Sequence, residues 1–572
     1  MALPDPSGPS STSATEWWRS AVIYQVYPRS FADSDGDGVG DLPGVTARLE
    51  HLADLGVDAV WLSPFYRSPQ ADAGYDISDH RDVDPLFGRL EDARDLVRRA
   101  HALGLRVVVD VVPNHTSDEH PWFRAALASP PGSPERARYV FRDGRGDHGD
   151  LPPNNWRSVF TGPAWTRVTE MDGSPGQWYL HLFDSRQPDL DWSHPEVRED
   201  MLDTFRFWVD LGVDGFRVDV ARGLVKEEGL PDFPEELQHS AHVAPDGRRT
   251  PLFDQEGVHD VYRSWRSFLD GLGGGRGGQH LLVGEAHLPP ERLSRYVRPD
   301  EMHQAFNFAF LETPFDARAF RRVVDDSLAS FGSVGATTTW VLSSHDDVRP
   351  VTRFGLPPGT VLWHGIGPDD PQPDVEAGRR RARAAALLML SLPGSAYVYQ
   401  GEELGLPEHT TIPPEARRDP TFARSGGSAV GRDGCRVPVP WEADAPAYGF
   451  SPTGASWLPQ PPEFRDLAAD RQRGVVGSTL ELYRAALRVR RAHGLGAGTL
   501  EWLDGTPDDD VLRYRVRDVV VVVNLGTRPV SGLAGAEVLV ASEPVARGTV
   551  AGGSAAWFRA DDAVGPATVP DS

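Results

Sequence analysis

The feature that most constrains the fold of this chain is a repeated alternation of strand-like and helix-like segments. Residues 57–62 and 105–112 are short runs of apolar and β-branched residues. The amphipathic segment 90–103 lies between them and ends at Gly104, a usual helix stop. Because strands that alternate with helices pair in parallel through right-handed crossovers, this rhythm predicts an α/β fold with a parallel sheet.

Eight strand-like segments follow this rhythm. They are 21–27, 57–62, 105–112, 213–219, 279–285, 304–310, 337–343 and 395–400. The accompanying helices are predicted at 45–55, 90–103, 197–211, 382–392 and 482–492. Eight parallel strands that alternate with helices predict a (β/α)8 or TIM barrel.

Two stretches depart from the barrel rhythm. Residues 116–196 are rich in Pro, Gly, Asp and Trp and have no long periodic run, so they predict an inserted domain of irregular β structure after strand 3. Short alternating strands separated by Gly and Pro predict a C-terminal antiparallel β-sandwich over 483–558. The barrel then comprises 17–115 and 197–482, and we expect a disordered lead at 1–16 and a loose tail at 559–572.

Composition narrows the classes of partner and location. The 572 residues carry a net charge of −25, which argues against nucleic acid and anionic membranes as partners. No run approaches 18 apolar residues, and the Pro/Ser-rich start lacks the apolar core of a signal peptide, so we expect a cytoplasmic protein. The lone Cys435 excludes an internal disulfide. A monomer or a small homo-oligomer is expected.

The fourth predicted strand carries two charges that a buried strand should not hold. Arg217 and Asp219 are two residues apart and therefore point to the same face. The pair can be a structural ion pair at a strand end. Alternatively, Arg217 lowers the pKa of Asp219 and keeps it ionised, as a carboxylate nucleophile requires.

Other predicted strands also end in polar residues. Strand 3 ends at Asn114 and His115, strand 5 at Glu285, and strand 7 at His345 and Asp346. Each alone fits an ordinary surface residue. Because the carboxyl ends of all strands meet at one rim of a TIM barrel, where catalytic residues lie, together they predict an active site.

An acidic loop follows the first strand. Its carboxylates alternate with glycines, so the loop can wrap a hard cation, and we predict one structural Ca²⁺ or Mg²⁺ ion. The expected ligands are Asp33, Asp35, Asp37, the Val39 carbonyl and Asp41. An EF-hand is excluded because its twelfth position is Gly44, and a solvated acidic turn is the alternative. No organic cofactor is expected.

Four segments of the chain resemble glycoside hydrolase family 13, the α-amylase superfamily. They are Asp-Val-Val-Pro-Asn-His at 110–115, Gly-Phe-Arg-Val-Asp at 215–219, Gly-Glu-Ala at 284–286 and Ser-His-Asp at 344–346. Segments 24–31, 187–192 and 400–404 resemble its α-glucosidase/oligo-1,6-glucosidase branch. The resemblance spans about residues 17–560 and implies that Asp219 is the nucleophile, Glu285 the acid/base and Asp346 a third carboxylate that orients the sugar. The insert matches the family's domain B.

The same resemblance implies the remaining binding residues. They are Tyr75, Asp76, His115, Gln187, Arg217, His345 and Arg436. Asp76 and Arg436 would together bind the 4-hydroxyl of a non-reducing end and close the pocket. Glu285 follows an apolar approach that should raise the pKa of its carboxyl.

This implies a retaining exo-acting α-glucosidase on short oligosaccharides such as maltose. Sister enzymes share all these residues, so an oligo-1,6-glucosidase, a sucrose hydrolase, a trehalose synthase and a glucosyltransferase stay open. A non-catalytic barrel subunit would lack the carboxylates that this chain has.

Overall fold

The computed structural model describes residues 16–239, 244, 247–273, 279–503, 510–533 and 535–560. Nearly all of the predicted lead and tail, residues 1–15 and 561–572, therefore lies outside the described residues. Arg559, placed in the tail by the sequence, instead ends the last strand.

Eight parallel strands form the central sheet. They are β1 Val22–Val26, β2 Ala59–Leu62, β3 Arg106–Val111, β4 Gly215–Val218, β5 Leu281–Gly284, β6 Gln304–Ala305, β7 Thr339–Val341 and β8 Ser395–Tyr399. Their order is β6-β5-β4-β3-β2-β1-β8-β7. The Asn307 amide donates to the Thr339 carbonyl at 3.2 Å and brings the two outer strands together. The predicted TIM barrel is confirmed.

Helices cover the outside of the sheet. The long ones are α1 Leu42–Leu55, α2 Leu90–Ala102, α3 Pro195–Leu211, α4 Val258–Leu272, α5 Ala317–Gly332, α6 Val375–Ser391 and α7 Thr479–Ala492. Shorter helices span Pro121–Leu127, Pro134–Ala137, Pro290–Leu293, Phe308–Leu311, Pro350–Gly355, Pro420–Arg424, Phe464–Leu467 and Ala469–Gln472. Among the described helices, none combines the length and the apolar character needed to cross a bilayer.

The sixth strand is shorter than the sequence predicts. Alternating phenylalanines suggested a strand over 304–310, but the strand ends at Ala305 and a helix begins at Phe308. The Asn307 side chain accepts a hydrogen bond from the Phe310 amide at 3.2 Å and caps this helix. The alternating phenylalanines pack in two different places. Phe306 and Phe308 belong to the hydrophobic cluster inside the barrel, and Phe310 belongs to the cluster outside it.

The insert after β3 forms a small antiparallel sheet with strands Phe141–Arg142, Trp165–Thr169 and Pro175–Leu180. Lys226, on the loop after β4, fastens the insert to the barrel. Its Nζ lies 2.7 Å from Asp189 Oδ2 of the insert and 2.9 Å from Asn114 Oδ1 at the end of β3. This buried ammonium fixes the insert above the carboxyl ends of the strands.

The C-terminal region forms a five-stranded antiparallel sheet and a two-stranded one. The larger sheet has the order Leu500–Trp502, Val511–Val516, Val519–Asn524, Ser554–Arg559, Val538–Ala541, and the smaller pairs Val530–Ser531 with Thr549–Val550. The sheet packs on α6, where Ser391 Oγ and Tyr514 OH lie 2.5 Å apart. The proposed domain boundary at 482/483 falls inside α7.

Between β2 and α2, segment 66–83 forms an additional hairpin of Tyr66–Arg67 and Asp79–Val83.

Candidate active site

Arg217 on β4 lies among three carboxylates at the rim of the barrel. Its Nη1 is 2.6 Å from Asp219 Oδ1 and 2.9 Å from Asp110 Oδ1, and its Nη2 is 2.9 Å from Glu285 Oε2. Asp110 is on β3, and Glu285 directly follows β5. Three neighbouring strands therefore place three carboxylates around one buried guanidinium.

The pKa values of this cluster run opposite to the prediction. Burial raises the pKa of Asp219 well above its ordinary value despite Arg217, and Glu285 and Asp110 add to the rise. Burial also raises the pKa of Asp110 to about 6. For Glu285, burial is outweighed by Arg217, His287 and the Val220 amide, which lower its pKa. The sequence argument failed because burial outweighs the charge of Arg217 at Asp219, and because Arg217 is shared among three acids.

The residue after Asp219 is held in a left-handed conformation. Val220 has φ +45°, an unusual value for a β-branched side chain. In this conformation its amide donates to Glu285 Oε2 at 3.0 Å. The strained backbone of Val220 thus directs its amide towards the Glu285 carboxylate.

A stack of three rings lies beside Asp346, the third predicted carboxylate. His345 lies between Tyr27 and Tyr75, each with ring centroids 5.4 Å away. Burial lowers the pKa of His345 to about 3, so its ring is neutral. Its Nε2 is 3.2 Å from Asp346 Oδ2, and Gln25 lies 2.7 Å from its Nδ1. The stack fixes the direction of Asp346.

A second arginine, Arg432, also lies among three carboxylates. Its Nη2 is 3.1 Å from Asp72, its Nη1 is 2.9 Å from Asp346, and its Nε is 2.6 Å from Asp419. Arg436 lies behind it and contacts Asp346 at 2.7 Å. Burial alone would raise the pKa of Asp346, but His345, Arg432 and Arg436 hold it well below its usual range.

The predicted pair of Asp76 and Arg436 is wrong. Asp76 is fully buried and accepts hydrogen bonds from Ser68 and from the Ala71 and Asp72 amides, so it shapes its own loop. The pair that meets is Asp72 with Arg432, each four residues before the predicted one. The correct residues lie in the same two segments that the sequence analysis chose, Asp-Ala-Gly-Tyr-Asp and Arg-Asp-Gly-Cys-Arg. The first segment contains two aspartates and the second contains two arginines, so each offers two candidate binding residues.

Two connected cavities lie at this rim. The inner cavity, of about 200 Å³, is lined by Asp72, Tyr75, His115, Asp219, Glu285 and Arg432, among others. The central cavity, of about 510 Å³, shares Glu285, Asp346 and Arg432 with it and is also lined by Arg217. Neither cavity is lined by Asp76, Gln187, His345 or Arg436.

His115 and Gln187 belong to one buried network. Their Nε2 atoms are 3.1 Å apart, and Gln187 also donates to Asp72 Oδ2 at 3.2 Å. Burial lowers the pKa of His115 to about 4, so its ring is neutral. His115 therefore faces the inner cavity, whereas Gln187 orients His115 and Asp72 from behind.

The insert and the loop after β8 meet across the cavity mouth. Arg424, at the end of helix Pro420–Arg424, donates to the Phe160 carbonyl at 3.0 Å and the Thr161 carbonyl at 2.8 Å. It also contacts Asp184 at 3.0 Å. Thr161 is left-handed, with φ +70°. Phe160 lies 5.3 Å from the Arg432 guanidinium, so the insert roofs both cavities.

The acidic loop gathers three of its carboxylates. One oxygen each from Asp33, Asp35 and Asp37 lies within 4.8 Å of the others, and this all-oxygen donor set suits a hard cation. Asp41 is not in this group and instead caps α1, accepting from the Gly44 amide at 2.6 Å. The Val39 amide donates to Asp37 at 2.7 Å.

Comparisons with known proteins place this geometry in a family. The model of the α-amylase catalytic domain matches residues 25–497. A "Probable alpha-glucosidase" of Rhizobium meliloti is 38% identical over 86% of this chain and 85% of its own. An oligo-1,6-glucosidase of Parageobacillus thermoglucosidasius is 33% identical over 84% of each chain.

Solved structures agree with the sequence matches. The α-glucosyl transfer enzyme XgtA superposes with a TM-score of 0.80 at 35% identity, covering 95% of this chain and 99% of its own. The trehalulose synthase MutB of Pseudomonas mesoacidophila MX-45 gives 0.80 at 31% identity, with the same coverage. The chain therefore belongs to the α-amylase family, glycoside hydrolase family 13.

Proposed function

We propose that this protein is a retaining, exo-acting α-glucosidase that releases α-glucose from the non-reducing end of short α-glucosides such as maltose. The observation that carries the proposal is an ion pair in the lining of the inner cavity. There, the Arg432 guanidinium and the Asp72 carboxylate lie 3.1 Å apart and offer charged donors and acceptors to a terminal sugar. Curated relatives named maltase and α-glucosidase support it.

The positions of the two carboxyls on Arg217 support the retaining mechanism. Asp219 and Glu285 contact different nitrogens of one guanidinium, so they stay close together, and retaining enzymes need about 5–5.5 Å between them. In this assignment Asp219 attacks the anomeric carbon while Glu285 protonates the departing oxygen. Glu285 then removes a proton from water, which breaks the glucosyl–Asp219 bond and restores the α configuration.

Protonation in the cluster fits this assignment once the four groups are treated together. Asp110, Asp219 and Glu285 all contact Arg217, so the four groups titrate as a unit. Burial raises the pKa values of Asp110 and Asp219, so the cluster binds a proton more readily than isolated carboxyls do, and a sugar that displaces these contacts would redistribute that proton. Position, more than the resting pKa, distinguishes the acid from the nucleophile.

The ion pair of Asp72 and Arg432 also favours exo over endo cleavage. A site built to hydrogen-bond a free hydroxyl rejects a sugar whose hydroxyl is already substituted, because buried charges would be left unsatisfied. Arg424 closes the mouth on the side of the insert, so a polymer has no open groove between the insert and the loop after β8.

Glucosyl transfer is the second candidate. The central cavity is lined by Val159, Phe160 and Phe308, and an apolar wall lets an acceptor alcohol compete with water. Structural neighbours named as a glucosyl transfer enzyme and a trehalulose synthase support it. Linkage preference, including activity on isomaltose, sucrose or trehalose, is part of the same question.

Product analysis tests these proposals. Wild-type enzyme should release glucose one unit at a time from maltose to maltotetraose and act poorly on soluble starch, with α-glucose seen first by NMR. Rapid conversion of starch to mixed oligosaccharides would overturn the exo assignment. A panel of maltose, isomaltose, sucrose and trehalose, at low and high sugar concentration, separates hydrolysis from transfer and isomerisation.

We also propose that one Ca²⁺ or Mg²⁺ ion binds the acidic loop through Asp33, Asp35 and Asp37. The 4.8 Å grouping of their oxygens supports this. Burial and the charges of the neighbouring acids raise the pKa of Asp37, and a cation would relieve that repulsion. Ligation by Val39 and Asp41, the cytoplasmic location and the monomeric or small oligomeric state stay predictions.

A further inference from the structure

A single tryptophan stands out of the surface beside the candidate active site. Trp363 is 82% exposed and lies on the segment between helix Pro350–Gly355 and α6, beyond the end of β7. Its described aromatic contact is the ring of its neighbour His364, edge-on at 5.4 Å. Single exposed apolar residues are common, so the position of this ring at the rim of the central cavity is the informative observation.

The segment that carries Trp363 is fixed on both sides. Leu362 packs on the buried cluster of Val348, Leu356 and Ile366. The His364 carbonyl accepts a hydrogen bond from the Gly431 amide at 3.0 Å, and Gly431 directly precedes Arg432. Trp363 is therefore held in a fixed position relative to Arg432, which lines the inner cavity.

A glycine permits this close approach. Gly365 has φ +78°, and a Cβ there would lie 2.1 Å from the Gly431 carbonyl oxygen. A larger residue would push the two segments apart. The exposed ring is thus placed by its surroundings before any ligand arrives, as a pre-organised contact should be.

The cavities run from the carboxylates to this ring. Trp363 lines the central cavity together with Glu285 and Asp346. It also lines an outer cavity of about 870 Å³ with Arg222, His287 and Glu312. A flat ring with charged and polar side chains around it suits a pyranose, which has an apolar face and a rim of hydroxyls.

We propose that Trp363 is the stacking platform for the third sugar ring of an oligosaccharide, counted from the non-reducing end. The inner cavity takes the first ring, the central cavity takes the second, and the third reaches the outer cavity. This inference rests on the proposed exo-acting function, which sets the direction of the chain. It assigns a preference for maltotriose over maltose to one side chain.

The test compares Trp363→Ala and Trp363→Phe with Val361→Ala, a control in the same segment whose side chain is 50% exposed. The readout is the ratio of kcat/KM for maltotriose to that for maltose. Trp363→Ala should lower this ratio about fivefold, as expected for loss of one stacking contact. Trp363→Phe should retain most of it, and Val361→Ala should match wild type.

A binding measurement separates this inference from the hydrolase assignment. In an Asp219→Ala background, calorimetry should show the same drop in the maltotriose-to-maltose affinity ratio on Trp363→Ala. An unchanged ratio in both assays, or an equal drop in Val361→Ala, overturns the platform. If wild-type enzyme releases no glucose while the affinity ratio still depends on Trp363, the platform stands and the proposed hydrolysis falls.

Discussion

The site contains two arginines, each in contact with three carboxylates, and the two clusters differ in charge balance. Arg217 stands alone among Asp110, Asp219 and Glu285. Arg432 contacts Asp72, Asp346 and Asp419, and it shares Asp346 and Asp419 with a second cation, Arg436.

The difference in charge sets the protonation of each cluster. Around Arg217, burial prevails at Asp110 and Asp219 and raises their pKa values, whereas at Glu285 burial is outweighed by Arg217, His287 and the Val220 amide, which lower its pKa. Around Arg432, burial also opposes ionisation of Asp419, but Arg432 and Arg436 overcome it and hold its pKa well below the usual range. One cation among three acids leaves a group that can exchange protons. Two cations hold Asp346 and Asp419 ionised, which suits binding, whereas burial raises the pKa of Asp72 despite Arg432 and Arg436.

The largest expected effect comes from the Arg217 cluster. Asp219→Ala and Glu285→Gln should each lower kcat on maltose by about 10⁴-fold or more, with the fold intact by circular dichroism. Glu285→Gln should be much less damaging on α-glucosyl fluoride, whose leaving group needs no proton. Equal losses on both substrates would remove the acid role from Glu285.

This cluster was largely predictable from sequence. Arg217 and Asp219 share a face because strands repeat every two residues, and Glu285 follows a neighbouring strand whose end lies at the same rim. The pKa directions were not predictable. They depend on how many carboxylates share Arg217, which only the packing of β3, β4 and β5 reveals.

The Arg432 cluster should give intermediate losses. Asp72→Ala and Arg432→Ala should each lower kcat/KM on maltose about 10- to 100-fold, because each removes a buried charge-assisted hydrogen bond to the terminal sugar. Arg418→Ala is the matched control: its guanidinium is exposed and donates to backbone carbonyls of its own loop. An equal loss in Arg418→Ala would indicate damage to the loop instead of lost binding.

Of the second cluster, Asp346 was predictable because it follows β7, but the other members were not, because they lie on loops. Asp72, Asp419 and Arg432 belong to segments whose conformations depend on glycines, caps and contacts with the insert. The sequence placed the right segments together but chose Asp76 and Arg436, four residues away in each. Loop geometry lacks the fixed period that locates side chains on a strand.

A smaller expected effect is the pH dependence of stability, which differs between the two clusters. Asp110 binds a proton in the folded state up to about pH 6 but in the unfolded chain only to about pH 4. Its contribution to stability is therefore present below pH 4 and is lost as pH rises towards 6. Asp110→Asn cannot titrate, so the wild-type advantage in unfolding free energy should fall by about 2–3 kcal/mol between pH 4 and 7.

The opposite sign is expected for Asp346 and Asp419. Their lowered pKa values stabilise the fold above pH 4, and that contribution is lost only as pH falls further. Calorimetry of wild type and Asp110→Asn from pH 4.5 to 7 thus isolates Asp110. Melting temperatures that stay a constant distance apart across this range would contradict the assignment.

The smallest expected effect lies outside both clusters. If the acidic loop binds a cation, excess chelator should lower the melting temperature by a few degrees while changing the initial rate little. The loop is anchored by hydrogen bonds from Thr453 to the Gly36 carbonyl and from Trp457 to the Gly38 carbonyl, away from Arg217. Asp35→Asn should remove the response to chelator, and a response that survives this change would place the metal elsewhere.

The ammonium that fastens the insert has a practical consequence. Lys226 is the only lysine in 572 residues, and its amine is enclosed between Asp189 and Asn114. Reagents that acylate amines therefore have no exposed lysine to attack on the folded molecule. Slow acylation of Lys226, followed by mass spectrometry, would report how often the insert lifts from the barrel, with no probe introduced into the chain.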